Sequence, residues 1–402
     1  MIEPKTLKGF RDFLPKTAKK RQYVLNILKE VFESYGFKPL ETPSLEYEEI
    51  LTGKYGEEGE KLMYKFEDNG KRKVALRYDQ TVPLARVVAQ YQNEIKFPFK
   101  RYQIQNVWRA ENTQKGRYRE FLQVDADIVG TNSSLSDAEI ISLATDCFKK
   151  LGFKNFKILI NTRSVFTDLE VTDEKLASVI RAIDKIKKIG KENVLKEIEK
   201  NGFSKKEAEE ILSKIESKKP TKEMEELLKI LKGKNVEFIP ILARGLDYYT
   251  GLIFEIEIDE YSSGMVAGGG RYDNLIGMFT NKQIPAVGFA FGFDRLIEAM
   301  EELNLFPNNL QTTKVLVTIP SLENTEQSLK IARQLRDKKI NTEVYLGNNL
   351  DLEKQLKYAN NEAIPYVIIV GEKLILKNMQ KRTQEELSPN QLLDELTSLA
   401  RI

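Results

Sequence analysis

Apolar residues recur at helical spacing over 17–36 (TAKKRQYVLNILKEVFESYG), where Val24, Ile27, Leu28, Val31 and Phe32 share a face and Gly36 is the natural stop. FKPLETPSLE then reads as a short strand broken by Pro39 and Pro43. Segments 62–67 and 72–78 read as strands joined at Asp68-Asn69-Gly70, and 81–93 as a helix.

Segments 99–109 and 119–129 are the most informative pair. In the second, Leu122, Val124, Ala126 and Ile128 alternate with Phe121, Gln123, Asp125 and Asp127, so period two sends one set to a core and the other to the opposite sheet face. In the first, Gln103, Gln105, Val107 and Arg109 alternate with Tyr102, Ile104, Asn106 and Trp108. With the polar linker ENTQKGRY between them, the pattern predicts two antiparallel strands joined by a mobile, basic loop. One face carries Arg, Gln and Asp, and alternation alone leaves open whether it meets water or builds a site.

Further on, 136–151 reads as a helix and 155–160 as a strand. Residues 172–234 are rich in Lys and Glu and predict short amphipathic helices with breaks near Gly190, Gly202 and Pro220, an all-helical insertion whose lysines read as a solvated face. Strands return at 236–242 and 252–258. GMVAGGGRYDNLI reads as a turn, a glycine run and a helix start. AVGFAFGFDRLIEAM reads as a strand entering a helix, with Gly288 and Gly292 leaving room above it. From 312, beyond the linker FPNNLQTT, strands KVLVTIP, INTEVYL and PYVIIVG alternate with helical stretches. That order predicts a separate α/β domain with a mostly parallel sheet.

Composition narrows the chemistry. A chain of 402 residues suggests two or three domains, and 41% apolar content argues against disorder. No apolar run approaches the roughly 18–20 residues of a membrane span. The start, MIEPKTLKGF, lacks an apolar signal region, so secretion is not expected. A single cysteine, Cys147, excludes an intrachain disulfide framework and a multi-cysteine zinc site. The net charge of +3 permits a nucleic-acid partner without announcing one. There is no histidine, which removes histidine triads, imidazole proton shuttles and HExxH metal sites. What remains is carboxylates, Arg, Lys, Tyr, backbone dipoles and hard metal ions. No P-loop and no GxGxxG is present.

Three segments are dense in unusual residues. ARGLDYYTG gathers Arg244, Asp247, Tyr248 and Tyr249, either a packed corner or an anion and aromatic-ring site. LRYDQTVPLAR sets Asp79 and Thr81 at a strand end before a helix, where Asp79 is a helix cap or a ligand. Glycines 268–270 suit either close backbone approach to a ligand or a crowded sheet.

Taken together, FKRYQIQNVWRAENTQKGRYREFLQVDADIVG, ARGLDYYTG, GGGRYDNL and AVGFAFGFDRL, in this order, closely resemble the signature segments of the histidyl-tRNA synthetase family. The resemblance runs from LKGFRDFLP to LEKQLKYANNEAIPYVIIVGE, nearly the whole chain. It implies an α+β catalytic core of the class II synthetase fold, an antiparallel sheet flanked by helices, at 1–171 and 235–310. It further implies a helical insertion domain near tRNA at 172–234 and a C-terminal α/β anticodon-binding domain at 311–402. Segment 24–43 resembles motif 1 at a homodimer interface, 99–129 motif 2 and 286–299 motif 3.

The resemblance also implies a cytoplasmic enzyme that uses ATP with Mg²⁺, L-histidine and the tRNA for histidine. Arg109, Arg244 and Arg295 would be catalytic and would hold ATP phosphates, with Glu111, Arg119 and Phe121 completing the ATP site. Asp79, Thr81 and Gln123 would take the α-amino group of histidine. Asp127 and Tyr249 would take its imidazole, with Tyr248 and Tyr272 nearby. Asp79 and Asp127 stand where some members have Glu, keeping charge and shortening reach. Gln114, Lys115, Gly116 and Arg117 lie on the loop that would meet the tRNA acceptor end. A regulatory paralogue without aminoacylation, the regulatory subunit of ATP phosphoribosyltransferase, is the runner-up. The three arginines and the C-terminal domain argue against it, and ARGLDYYTG argues against a synthetase for another amino acid. The absence of histidine fits an enzyme translated through histidine starvation, and equally compositional drift or sequence design.

Overall fold

The computed structural model describes residues 1–402 except Lys115, Glu170, 245–247, Ser263, Asn309, Gln311 and 400–402. The chain forms two compact units, Met1–Phe306 and Pro307–Ile402.

The first unit is built on an eight-stranded sheet. Its strands run in the order Lys38–Pro39, Phe99–Trp108, Glu120–Val129, Ala286–Gly292, Ala267–Arg271, Leu252–Ile258, Phe156–Thr162 and Val236–Phe238. The edge strands pair parallel and the six between them pair antiparallel. The period-two reading holds: Val124, Ala126 and Ile128 enter a core shared with Val24, Leu28, Val31 and Phe32 of helix Pro15–Ser34. Ile140, Ala144 and Phe148 of helix Ser134–Lys150 join the same core. Two helices thus cover one face of the sheet, and the other face is left for the polar set.

The glycine run lies in a crowded sheet, one of the two readings the sequence left open. Ala267–Arg271 is an interior strand, paired on both sides. Alternation cannot reveal a strand without side chains. What places it is close approach, since a Cβ on Gly269 would overlap the Gly288 carbonyl oxygen and stand 2.6 Å from Phe289 Cα. Arg271 ends the strand and anchors it to helix Ser134–Lys150 through Asp137 at 2.7 Å and Ser136 at 2.8 Å.

Short helices occupy the 172–234 region, breaking at Gly190, Gly202 and Pro220. Val179, Ile183, Val194, Ile198, Leu212 and Ile215 share a core of their own with Phe166. Met224, Leu227 and Leu231 instead join the core of the large sheet. In the second unit, Thr342–Val344, Val315–Val317 and Tyr366–Ile369 pair parallel as expected. Leu374–Asn378 and Thr383–Leu387 extend that sheet antiparallel, so it is mixed rather than mostly parallel.

Gly269→Ala should destabilise the first unit by about 1–3 kcal/mol through overpacking. Gly277→Ala, whose Cβ would meet nothing nearer than 3.6 Å, should stay within about 0.5 kcal/mol of the parent. Urea unfolding reads both, and equal midpoints for the two variants would contradict the close-approach account.

Candidate active site

The polar face of Glu120–Val129 opens into a cleft lined by Phe121, Gln123, Asp125 and Asp127. Asp79 and Thr81 reach it from the start of helix Thr81–Gln90. Tyr248, Tyr249 and Tyr272 close one end. Arg109, Arg244 and Arg295 come from three distant segments and line the same cleft, as do Glu111 and Arg117. Arg119 and Gln114 are not in its lining: Arg119 Nε donates to the Glu111 carbonyl at 3.2 Å and so ties the loop base. Gln114 and Arg117 exchange backbone hydrogen bonds across a turn at Gly116, which has φ +69°. Lys115 and Asp247 lie outside the described residues.

Each arginine is held from behind. Arg109 Nε donates to the Tyr78 carbonyl at 3.1 Å, and its guanidinium stands 5.2 Å from the Phe121 ring centroid. Arg244 Nη1 pairs with Glu255 at 3.1 Å, beside Gly268, where a Cβ would stand only 2.7 Å from that nitrogen. Arg295 Nη1 donates to the Met265 carbonyl at 3.1 Å. Such anchoring fixes the direction of each planar fork before a ligand arrives.

At the acidic end, Asp79 Oδ1 accepts from Tyr55 at 2.7 Å and from the Val82 amide at 3.1 Å. Asp79 Oδ2 is buried without a hydrogen-bond partner among the described residues. Both readings of Asp79 therefore stand: one oxygen caps the helix and the other is left for a ligand. Burial raises the pKa of this carboxyl. Asp127 is not a bare acceptor, because Arg101 Nη2 lies 2.7 Å from its Oδ2 and Tyr272 donates its hydroxyl to Oδ1. Gly288 is obligatory opposite it, since a Cβ there would overlap the Asp127 carboxylate. The Tyr248 ring lies 4.9 Å from Tyr249 and 5.9 Å from Tyr272.

The site list drawn from the sequence lacks Arg101, Asp125, Tyr118 and Asp294. Asp125 shares the alternating face of Gln123 and Asp127, a signal available in the sequence, and Arg101 stands opposite Asp127 in the strand register. Asp125 Oδ2 accepts from Gln123 Nε2 at 2.8 Å. Burial pushes the Asp125 carboxyl up to about 8, with Asp127 and Asp79 adding to the rise and Arg101 and Gln123 opposing it. At the mouth, Arg11 stacks 3.1 Å from the Tyr118 ring centroid and pairs with Asp294 at 2.8 Å, so the N-terminal segment clasps the loop and the Phe293–Glu302 helix together. No sequence spacing links those three.

Among the described residues, no three carboxylates or thiols gather as a metal cage, and no helix is long and apolar enough to cross a membrane.

A family model described as histidyl-tRNA synthetase matches residues 9–296, and one described as anticodon binding domain matches 314–399. The chain belongs to the histidyl-tRNA synthetase family. It is 41% identical to a histidine–tRNA ligase of Cytophaga hutchinsonii, over 92% of this chain and 93% of that one. It is 39% identical to a histidine–tRNA ligase of Clostridium tetani, over 96% and 97%. The crystal structure of histidyl-tRNA synthetase from Nostoc sp. PCC 7120 superposes with a TM-score of 0.85 at 29% identity, covering 99% of this chain and 100% of that one. Ligation of histidine to tRNA is therefore the activity of this class II aminoacyl-tRNA synthetase, with ATP as the energy source.

The carboxyl of Asp125 is fixed at about 8 in the folded enzyme, against about 3.9 in an unfolded chain. A raised acid stabilises fully below its unfolded pKa, and that contribution is lost as pH rises through the folded one. The stability difference between Asp125→Asn and the parent should shift toward the variant from about pH 5 to about pH 8, then level off. Denaturation midpoints across that range check it; a pH-independent difference would contradict the burial account.

Proposed function

We propose that this cleft joins the carboxylate of L-histidine to the α-phosphate of ATP, releasing pyrophosphate, and then presents histidyl-adenylate to the 3′ end of its tRNA. The observation that carries the assignment of roles is the convergence of Arg109, Arg244 and Arg295 on one cleft that ends in buried carboxylates.

The first step gathers negative charge around one phosphorus and asks little covalent work of the protein, so positioning and fixed cations carry it. Arg109 would grip the α-phosphate and the attacking carboxylate, and Arg244 would face the α-phosphate from the segment before strand Leu252–Ile258. Arg295, beside the Phe293–Glu302 helix start, would hold the γ-phosphate. Phe121 would stack on adenine, with Glu111 at the rim. Mg²⁺ would supply charge neutralisation to the phosphates when bound, and among the described residues Glu111, whose carboxylate meets Arg117 at 3.4 Å, would be the cleft carboxylate to hold it. The α-ammonium of histidine would settle against Asp79 Oδ2, Thr81 and Gln123. Its imidazole would lie against Asp127 and Tyr249, with Tyr248 and Tyr272 behind. Arg101 and Tyr272 already pair with Asp127, and rejection of apolar amino acids falls on the imidazole contacts of Asp127 and Tyr249, because every amino acid presents an α-ammonium to Asp79.

Gln114, Lys115 and Arg117 at the hairpin tip would meet the acceptor end of tRNA, and the 311–402 domain its anticodon. Residues 172–234 would approach the tRNA as an insertion. An enzyme of protein synthesis belongs in the cytoplasm. A homodimer through the motif 1 region is supported by a patch of exposed Leu45, Tyr47, Phe66, Tyr91 and Phe97 beside a groove containing Leu40, Pro43 and Ile50.

ATP–pyrophosphate exchange should proceed with histidine and with no other amino acid. Arg244→Ala should lower it by about 100-fold or more while histidine binding persists in part; near-normal exchange would remove its assigned role. Sedimentation equilibrium should give a dimer, and Tyr47→Asp with Phe66→Asp should give monomer. A parent that sediments as monomer would contradict the interface.

A further inference from the structure

The floor of the cleft holds more negative charge than the reading above uses. Asp79, Asp125 and Asp127 are all buried, at 4%, 2% and 3% exposure, and Arg101 at 0% is the cation in contact with one of them. That contact goes to Asp127. Asp125 has only the neutral amide of Gln123 on Oδ2, and its Oδ1 is buried without a hydrogen-bond partner among the described residues. The charged groups facing Asp125 come from each neighbouring element. Arg101 lies on the Phe99–Trp108 strand, where Gln103 stands opposite Asp125 in register. Arg77 lies beneath, Asp127 follows on the same strand, and Asp79 precedes the Thr81–Gln90 helix. On the other side the Ala286–Gly292 strand offers only Ala290.

Two unfilled carboxylate oxygens, on Asp79 and Asp125, thus flank Gln123, and all three line the cleft. Because Gln123 Nε2 donates to Asp125, the amide oxygen of Gln123 is left as an acceptor. Once Asp125 is ionised, these three are acceptors that a cation would satisfy, and the substrate brings one. We propose that Asp125 is a fourth recognition group for the α-ammonium of histidine, beside Asp79, Thr81 and Gln123, carrying a proton before histidine binds and surrendering it as the ammonium arrives. The O–H bond of the Asp125 carboxyl breaks, its electron pair stays on the carboxylate and the proton passes to solvent, and the ammonium becomes the hydrogen-bond donor to Oδ1. This rests on the reading of the cleft given above. The carboxyl of Asp125, held at about 8, is protonated at neutral pH and would ionise against an incoming cation.

Calorimetric titration of L-histidine into the full-length enzyme, in two buffers of different ionisation enthalpy, counts protons exchanged on binding. Near pH 7 the parent should release about one proton more per histidine than Asp125→Asn, the ligand's own titration cancelling in the difference. Histidine affinity of the variant should fall by about 10- to 100-fold, with the KM for ATP within about twofold. A purely structural role would not move the proton count. Should the variant fail to fold, the parent alone still decides: its release should fall by roughly half or more between about pH 7 and pH 8.5, and a constant release would overturn the proposal. Equal proton counts and equal affinities in parent and variant would also overturn it. If the parent shows no histidine-dependent pyrophosphate exchange, the reading of the cleft itself falls; if it does and Asp125→Asn matches it throughout, only this inference falls.

Discussion

Arg101 lies fully buried, with Asp127 2.7 Å away on the paired strand and Gln103 accepting from its Nη1 at 3.3 Å. Charge buried this deeply is tolerable only when paired and hydrogen-bonded, and breaking such a pair by removing one partner costs about 3–5 kcal/mol. The cleft floor depends on that arrangement. It opposes the rise that burial imposes on the Asp127 carboxyl, fixes its direction together with Tyr272, and leaves the neighbouring acids short of positive charge. Beneath it, Arg77 is satisfied by the Asn106 and Thr42 carbonyls at 2.7 Å each, and burial lowers its pKa to about 10. The floor is therefore a polar layer inside the protein rather than a wet surface.

At the mouth the logic is reversed. Three guanidinium groups are anchored from behind by the Tyr78 carbonyl, Glu255 and the Met265 carbonyl, so their remaining N–H groups stay directed into the cleft. Three anchored cations and three buried carboxyls thus line the same cleft. A zwitterionic amino acid would enter it ammonium first, with its carboxylate turned toward the phosphates. Electrostatic preorganisation of this kind strains the empty protein and is repaid only when both substrates are in place.

Much of this was legible in the chain. Alternation over 119–129 assigned every residue to its correct sheet face, and the helix over 17–36 was set by its apolar spacing. What alternation could not show is that the polar face is buried, because burial depends on Asp79, Tyr248 and Arg244 folding over it from distant segments. For the glycines of Ala267–Arg271 the sequence left a crowded sheet and close approach to a ligand both open, because what separates them is tertiary, the nearness of the Gly288 backbone. The strands Leu374–Asn378 and Thr383–Leu387 escaped because the second, TQEEL, is charged and largely exposed, as suits a sheet edge. Arg101 shares a strand face with Gln103, but its pairing with Asp127 follows from a register that only the folded sheet reveals.

A structure of the enzyme with a non-hydrolysable histidyl-adenylate analogue tests the central claim most directly. The account predicts the phosphate-mimicking group within hydrogen-bonding distance of Arg109 and Arg244, the ammonium between Asp79 and Gln123, and the imidazole ring against Asp127 and Tyr249. An analogue seated with its amino-acid end toward the arginines, or outside the cleft altogether, would contradict it.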